Sequence, residues 1–178
     1  MTTVLLCGGE NGGQMRQALV RALNQYGGVQ RFAKEQLEGN HEPRFCLYEC
    51  TKIPAVSHTA GVLILKNSYE EQEGPLQLSG LVPVLEQHNS RALHSLQGQN
   101  CNVISCGMSA KDTLSIASLD YNRAVVSLQR NLVQLSGSVI EPHDFTVQLS
   151  EETGVYPLLA CCAVLLLAGV PSSQGYAF

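Results

Sequence analysis

The first 26 residues join an apolar run, a glycine-rich loop and a helix-period stretch in direct succession. Residues 4–7 are apolar and predict a buried strand, and residues 8–13 contain four glycines. From residue 15 to residue 26, apolar side chains recur every three or four positions, which predicts an amphipathic helix. Loop N–H groups at the positive end of such a helix can bind an anion. This succession therefore predicts an α/β fold with an anion-binding loop.

The candidate ligand-binding residues belong to this loop and to the start of the helix: Gly9, Glu10, Asn11, Gly12, Gly13 and Gln14. A working P-loop places Lys, then Ser or Thr, after its last glycine, to bind the terminal phosphates and magnesium. Gly13 and Gln14 stand at those two positions. Two interpretations stay open: a tight strand-to-helix turn without a ligand, or an anion site whose charge comes from Arg16, Lys66 or Lys111.

The rest of the chain predicts a parallel sheet followed by a small antiparallel one. Up to residue 107, short apolar runs alternate with helical or loop segments, which is typical of a parallel sheet with helices on its faces. These runs are residues 44–49, 61–66, 82–86 and 102–107, with a helix over 89–96. Extended segments at 113–119, 124–129 and 145–149 predict the antiparallel part, and the apolar residues 156–168 predict a buried helix.

Three segments have weaker patterns. Residues 29–37 fit a short strand or helix, residues 76–81 a helical turn, and residues 172–178 a frayed end.

Composition narrows the class of protein. The chain has 178 residues, of which 44% are hydrophobic, so we expect one domain over residues 1–178. The net charge is −4 and no basic run occurs, which argues against nucleic acid and anionic membranes as partners. The longest apolar run, residues 158–170, is shorter than the roughly 20 residues that cross a bilayer. We expect a cytoplasmic protein, since no signal-peptide pattern precedes the first strand.

The seven cysteines show no CxxC spacing of the kind found in zinc or redox sites. Most lie inside apolar runs. We expect buried, reduced thiols that pack as small hydrophobic groups.

Two stretches have a specific pattern: residues 103–112, Val-Ile-Ser-Cys-Gly-Met-Ser-Ala-Lys-Asp, and residues 156–170, which end in Leu-Ala-Gly-Val. They resemble the central domain of the Mur ligases, the ATP-dependent enzymes that add amino acids to peptidoglycan precursors, and folylpolyglutamate synthetases share this domain. The loop Gly9–Gln14 is similar to the family's Gly-Thr-Asn-Gly-Lys-Thr, and Glu49 falls where the family has a metal-associated glutamate. The resemblance implies a P-loop-like α/β fold: a parallel sheet flanked by helices, with a small antiparallel sheet near the C-terminus.

The positions that would carry ligase chemistry depart from the family. The loop lacks its Lys and Thr, and the family's Thr-Asn-x-x-x-Asp-His corresponds to Lys-Asn-Ser-Tyr-Glu-Glu at residues 66–71. The family's Asn-x-Asp-Asp corresponds to Glu-Gln-His-Asn at residues 86–89. A ligase must hold ATP, its substrates and metal ions together, with cations offsetting the phosphoryl charge. We therefore expect a degenerate domain with no catalytic residues, and Glu49 as its metal-ligand candidate.

Two hypotheses for the function follow. The first is a non-catalytic binding or interaction module, linked through the resemblance to bacterial cell-wall metabolism, without a cofactor and with a second copy or another protein as partner. The second is a small enzyme that binds a phosphate group, ATP or another nucleotide with Mg²⁺, through residues 8–13.

Overall fold

The computed structural model describes residues 1–10, 13–33, 36–56, 60–74 and 76–178. The strands and helices follow in chain order: β1 (Thr2–Cys7), α1 (Gly13–Gln25), β2 (Val29–Ala33), β3 (Gln36–Gly39), β4 (Phe45–Cys50), β5 (Gly61–Leu65), β6 (Leu81–Glu86), α2 (Ser90–Ser95), β7 (Ile104–Gly107), β8 (Leu114–Leu119), β9 (Arg123–Leu128), β10 (Leu132–Val133), β11 (Val139–Ile140), β12 (His143–Gln148), α3 (Val155–Leu167) and β13 (Tyr176–Ala177).

A mixed sheet of 11 strands runs through the molecule in the order β13-β12-β9-β8-β7-β6-β5-β1-β4-β2-β3. The seven strands from β2 to β8 in this order pair in parallel, whereas β9 pairs antiparallel with both β8 and β12. A separate antiparallel pair is formed by β10 and β11. The predicted mostly parallel α/β fold with a small antiparallel part is confirmed. The antiparallel strands β9 and β12 extend the same sheet, and β8 joins the two parts because it pairs parallel with β7 and antiparallel with β9.

Hydrophobic residues cover both faces of the sheet. In β1, Val4 and Leu6 belong to the core on the face where α1 and α3 pack, while Leu5 and Cys7 belong to the core on the opposite face. Burial on both faces explains why β1 and β5 are continuous apolar runs, as parallel strands covered on both sides usually are.

Helix α3 is buried over almost its whole length. Its residues from Leu158 to Leu167 are all buried, and the helix packs against α1 and against strands β5 to β8. The predicted buried helix is confirmed. In the described part of the chain, no helix is both long enough and apolar enough to cross a membrane.

Three sequence-based expectations need correction or completion. The end of the chain is ordered rather than frayed: Tyr176 and Phe178 are each 3% exposed, and β13 pairs with β12. Residues 29–39 form the antiparallel strands β2 and β3, with residues 34 and 35 outside the described ranges. No helix forms over residues 76–81, where a single turn joins the Leu78 carbonyl to the Leu81 N–H group. A strand of two residues, such as β13, is too short to show a period in sequence.

Candidate functional site

A cavity of about 160 Å³ opens where β1, β4 and β5 reach their carboxyl ends. Strand β1 lies between β4 and β5, so the chain leaves it toward one side of the sheet and later returns on the other. In open α/β sheets, ligands bind at such a reversal of strand order. The cavity is lined by Gly8, Glu10, Arg16, Arg31, Ala33, Gln36, Glu49, Cys50, Thr51 and Lys66.

The first glycines of the loop are held by the neighbouring strands. The Gly8 N–H group donates to the Cys50 carbonyl at 3.0 Å, and the Gly9 N–H group donates to the Ser68 carbonyl at 3.1 Å. Gly8 has a φ of +144°, and a Cβ atom there would lie 2.8 Å from the Cβ atom of Lys66. These two amide groups therefore already have hydrogen-bond acceptors within the protein. Of the other candidate loop residues, Asn11 and Gly12 lie outside the described ranges.

Three candidate residues of this segment remain. Glu10 lines the cavity, whereas Gly13 and Gln14 form the first turn of α1.

Lys66 brings a positive charge to the loop from β5. It directly follows the last residue of that strand and is only 7% exposed. Its Nζ atom donates to the Gly9 carbonyl at 3.3 Å, and its backbone carbonyl accepts from Asn89 Nδ2 at 2.9 Å. Of the three cations suggested by sequence, Lys66 and Arg16 line the cavity. Lys111 lies on the exposed turn between β7 and β8 instead, where its carbonyl accepts from Arg130.

Glu49 lies between two guanidinium groups. Its Oε1 atom is 3.0 Å from Arg31 Nε, and its Oε2 atom is 4.0 Å from Arg16. The side chain is 16% exposed, so this pairing is screened only in part by water. The two arginines compete with a metal ion for this carboxylate, and a metal-ligand role for Glu49 stays a prediction. Arg31 was not among the residues suggested by the sequence analysis. Its position depends on the β2–β3 hairpin, and the sequence pattern did not decide between a strand and a helix there.

The cavity is more cationic than anionic. Its lining contains the cations Arg16, Arg31 and Lys66 and the carboxylates Glu10 and Glu49. Guanidinium and ammonium groups of this kind hydrogen-bond phosphate and carboxylate oxygens. Within the described ranges, no group of three or more His, Cys, Asp or Glu side chains is arranged to hold a metal ion. The residues of the cavity thus fit a small anion such as a phosphate or a carboxylate.

Residues 66–71 and 86–89, which correspond to the acidic and histidine motifs of the Mur ligases, form hydrogen bonds with one another and with α2. Asn67 Nδ2 donates to Glu86 at 2.5 Å, and Asn89 accepts from the Ala92 N–H group at 3.0 Å, which caps α2. His94 pairs with Glu71 at 3.0 Å. These polar groups join β5 and β6 to α2, which is a structural role.

The turn after β7 is also structural. The Asp112 N–H group donates to the Ser109 carbonyl at 2.9 Å, and the Asp112 carboxylate accepts from the Ser109 N–H group at 3.1 Å. Residues 109–112 therefore form a turn closed by two hydrogen bonds.

The fold and this site together define an α/β domain with a glycine-rich strand-to-helix loop at the carboxyl edge of a mostly parallel sheet. Solved structures of Mur ligases share this fold. A MurF from Acinetobacter baumannii matches 98% of this chain with a TM-score of 0.58 and 11% identity. A UDP-N-acetylmuramoyl-L-alanyl-D-glutamate–2,6-diaminopimelate ligase matches 94% of it with a TM-score of 0.52 and 14% identity. A murein peptide ligase from Psychrobacter arcticus matches 96% with a TM-score of 0.50 and 9% identity.

The chain spans less than half the length of these ligases, 43% or 44% of each. No protein-family model matches the sequence, and no curated protein matches it. The predicted resemblance to the Mur ligase central domain is therefore confirmed at the level of the fold.

Proposed function

We propose that this Mur-ligase-like domain is a non-catalytic binding module that holds a small anionic group, a phosphate or a carboxylate, beside the glycine loop. The observation that carries the proposal is the position of Lys66. Its ammonium group lies against the Gly9 carbonyl and supplies charge to a loop that has no lysine of its own. Arg16 and Arg31 add two further cationic groups to the same cavity.

The size of the cavity and the hydrogen bonds of the loop support a small ligand. Sites for drug-sized ligands and cofactors enclose roughly 300–1,000 Å³, whereas this cavity encloses about 160 Å³. The Gly8 and Gly9 amides, which a phosphate chain would need, already donate to backbone carbonyls. A link to cell-wall metabolism rests on the likeness to Mur ligase structures and is part of the same proposal.

A second candidate is a small enzyme that binds a nucleotide at the loop. The same Lys66 contact favours it, because an ammonium beside the loop can replace the missing P-loop lysine. The two candidates differ in what they require. The enzyme needs a nucleotide with Mg²⁺, and the binding module needs neither.

Titration calorimetry and thermal-shift measurements with inorganic phosphate, acetate, ATP and ATP with Mg²⁺ distinguish the two candidates. We expect saturable phosphate binding that Mg²⁺ does not strengthen, and no release of phosphate from ATP. Lys66→Met removes a charge-assisted hydrogen-bond donor worth about 1.5–3 kcal/mol, so the affinity should fall roughly 10- to 100-fold. Lys111→Met is the matched control, since Lys111 lies on an exposed turn outside the cavity lining.

ATP hydrolysis, or tight nucleotide binding that depends on Mg²⁺, would establish the second candidate and refute the first. Absence of binding to every anion tested would refute both.

The interaction role has less support. The large apolar side chains that are exposed come from separate parts of the chain: Met1, Leu37, Leu93, Met108, Leu119, Tyr121, Val133 and Val139. Val133 and Val139 are register partners across β10 and β11, and small exposed apolar groups of this kind are common on monomeric proteins. A homo-oligomer or a protein partner therefore stays a prediction, and light scattering coupled to size-exclusion chromatography tests the homo-oligomer directly.

A further inference from the structure

Two cysteines face each other across β1 and β4. These strands are parallel, and Cys7 is the register partner of Cys50. Each thiol reaches the backbone of the opposite strand: Cys7 Sγ lies 3.6 Å from the Thr51 carbonyl oxygen, and Cys50 Sγ lies 3.9 Å from the Leu6 carbonyl oxygen. Adjacent strands are about 4.8 Å apart, which falls within the Cα separations of about 4.4–6.8 Å that a disulfide bridges.

Only one of the two thiols is placed to meet a reagent. Cys50 is half-buried and lines the cavity, whereas Cys7 is buried in the core on that face of the sheet. Both are free thiols. A small oxidant that enters the cavity therefore reaches Cys50 first, and Cys7 lies next to Cys50 on the neighbouring strand.

The surroundings favour a thiolate on Cys50. A hydrogen bond from the Cys7 thiol lowers the pKa of Cys50, and the nearby Lys66 ammonium lowers it further, while burial and the Glu49 carboxylate act in the opposite direction. The same hydrogen bond and burial raise the pKa of Cys7. The half-buried Cys46 and Cys101 differ, because burial raises the pKa of each. Thiolates, rather than thiols, are the reactive form.

We propose that Cys7 and Cys50 are a redox-active pair, in which a hydroperoxide oxidises Cys50 and Cys7 converts the product to a disulfide between β1 and β4. The Cys50 thiolate attacks the hydroperoxide, an S–O bond forms, the O–O bond breaks, and the alkoxide or hydroxide leaves with a proton. The Cys7 sulfur then attacks the sulfenic acid, an S–S bond forms, the S–O bond breaks, and hydroxide leaves as water with the Cys7 proton. With hydrogen peroxide, two thiols give one disulfide and two waters. This inference does not depend on the proposed anion binding.

The test is oxidation of the reduced, folded protein with one equivalent of hydrogen peroxide, followed by denaturation, thiol counting and peptide mapping. We expect two of the seven thiols to disappear, the mass to fall by about 2 Da, and a peptide pair joined through Cys7 and Cys50. A thiol reductant should restore both. We also expect Cys50 to react with iodoacetamide at least about tenfold faster than Cys46 or Cys101.

Serine variants separate the two roles. Cys7→Ser should stop the reaction at a sulfenic acid on Cys50, which dimedone traps, and Cys50→Ser should abolish the fast oxidation. Cys46→Ser is the matched control on the same strand and should leave the disulfide unchanged. The proposal is overturned if the folded wild-type protein yields no linked Cys7–Cys50 peptide, or if Cys46 and Cys101 are oxidised as fast as Cys50. Because these readouts use the wild-type chain, a variant that fails to fold leaves the test intact.

Discussion

Tyr156 connects helix α3 to the strands that carry the candidate site. The side chain is buried, and its hydroxyl oxygen lies 2.7 Å from the Leu65 carbonyl oxygen and 3.2 Å from that of Val84. Leu65 ends β5 immediately before Lys66, and Val84 belongs to the neighbouring β6. A single hydroxyl thus holds two adjacent strands against the helix.

Tyr156→Phe removes this hydroxyl and keeps the ring. A buried neutral hydrogen bond contributes about 0.5–1.5 kcal/mol, and a buried carbonyl left without its donor costs about 1–3 kcal/mol. Because the hydroxyl has one proton for two carbonyls, we expect a loss of about 1–2 kcal/mol. In a chain of this length, each kcal/mol lowers Tm by about 2–4 °C, so Tm should fall by about 2–8 °C.

Urea unfolding followed by circular dichroism measures the effect: the midpoint should fall while the m-value stays constant. Tyr121→Phe is the control, since Tyr121 is 87% exposed and its loss of a hydroxyl should change stability by less than about 0.5 kcal/mol. If Tyr156→Phe is no less stable than Tyr121→Phe, the hydroxyl does not hold the two strands, and this account of the connection is wrong.

Three further predictions concern the core and its ionisable groups. Phe178→Ala should cost about 3–5 kcal/mol in urea unfolding, because Phe178 is buried, whereas Met108→Ala, at an exposed position, should change little. Gly107→Ala should lower stability by about 1–3 kcal/mol in the same assay, since the added methyl group would overlap the buried Asp112 carboxylate. Burial raises the pKa of Cys106 and Cys161; as pH rises above about 8.5, the unfolded thiols ionise first, so stability should fall. Cys106→Ala should make that fall shallower, and an unchanged alkaline slope would contradict the assignment.

The strands in the middle of the sheet could be predicted because they are buried on both faces. Residues 4–7 of β1 and 61–65 of β5 are buried at every position, and the resulting uninterrupted run without charged or polar side chains is visible in one stretch of sequence. Strand β13 was missed for the opposite reason. It has two residues, and its burial depends on the partner strand β12, which lies about 30 residues away in sequence.

The candidate site, like the sheet, could be predicted where it depends on local pattern and could not where it depends on pairing between strands. The glycine loop follows from local pattern. Of Arg16, Lys66 and Lys111, which the sequence suggested as sources of charge, Arg16 and Lys66 line the cavity. Arg31 was not suggested, since its contact with Glu49 requires β2 to pair with β4. The Cys7–Cys50 pair also depends on register between strands, and sequence spacing alone classed both residues with the core thiols.

The end of the chain packs against its first helix. The Tyr26 and Tyr176 rings meet edge to face with centroids 5.5 Å apart, and the Ala177 N–H group donates to the Tyr26 hydroxyl at 2.8 Å. Helix α1 therefore cannot complete its packing until residues 176–178 are in place. Because this contact joins residues 151 positions apart in sequence, we expect this part of the core to close late in folding.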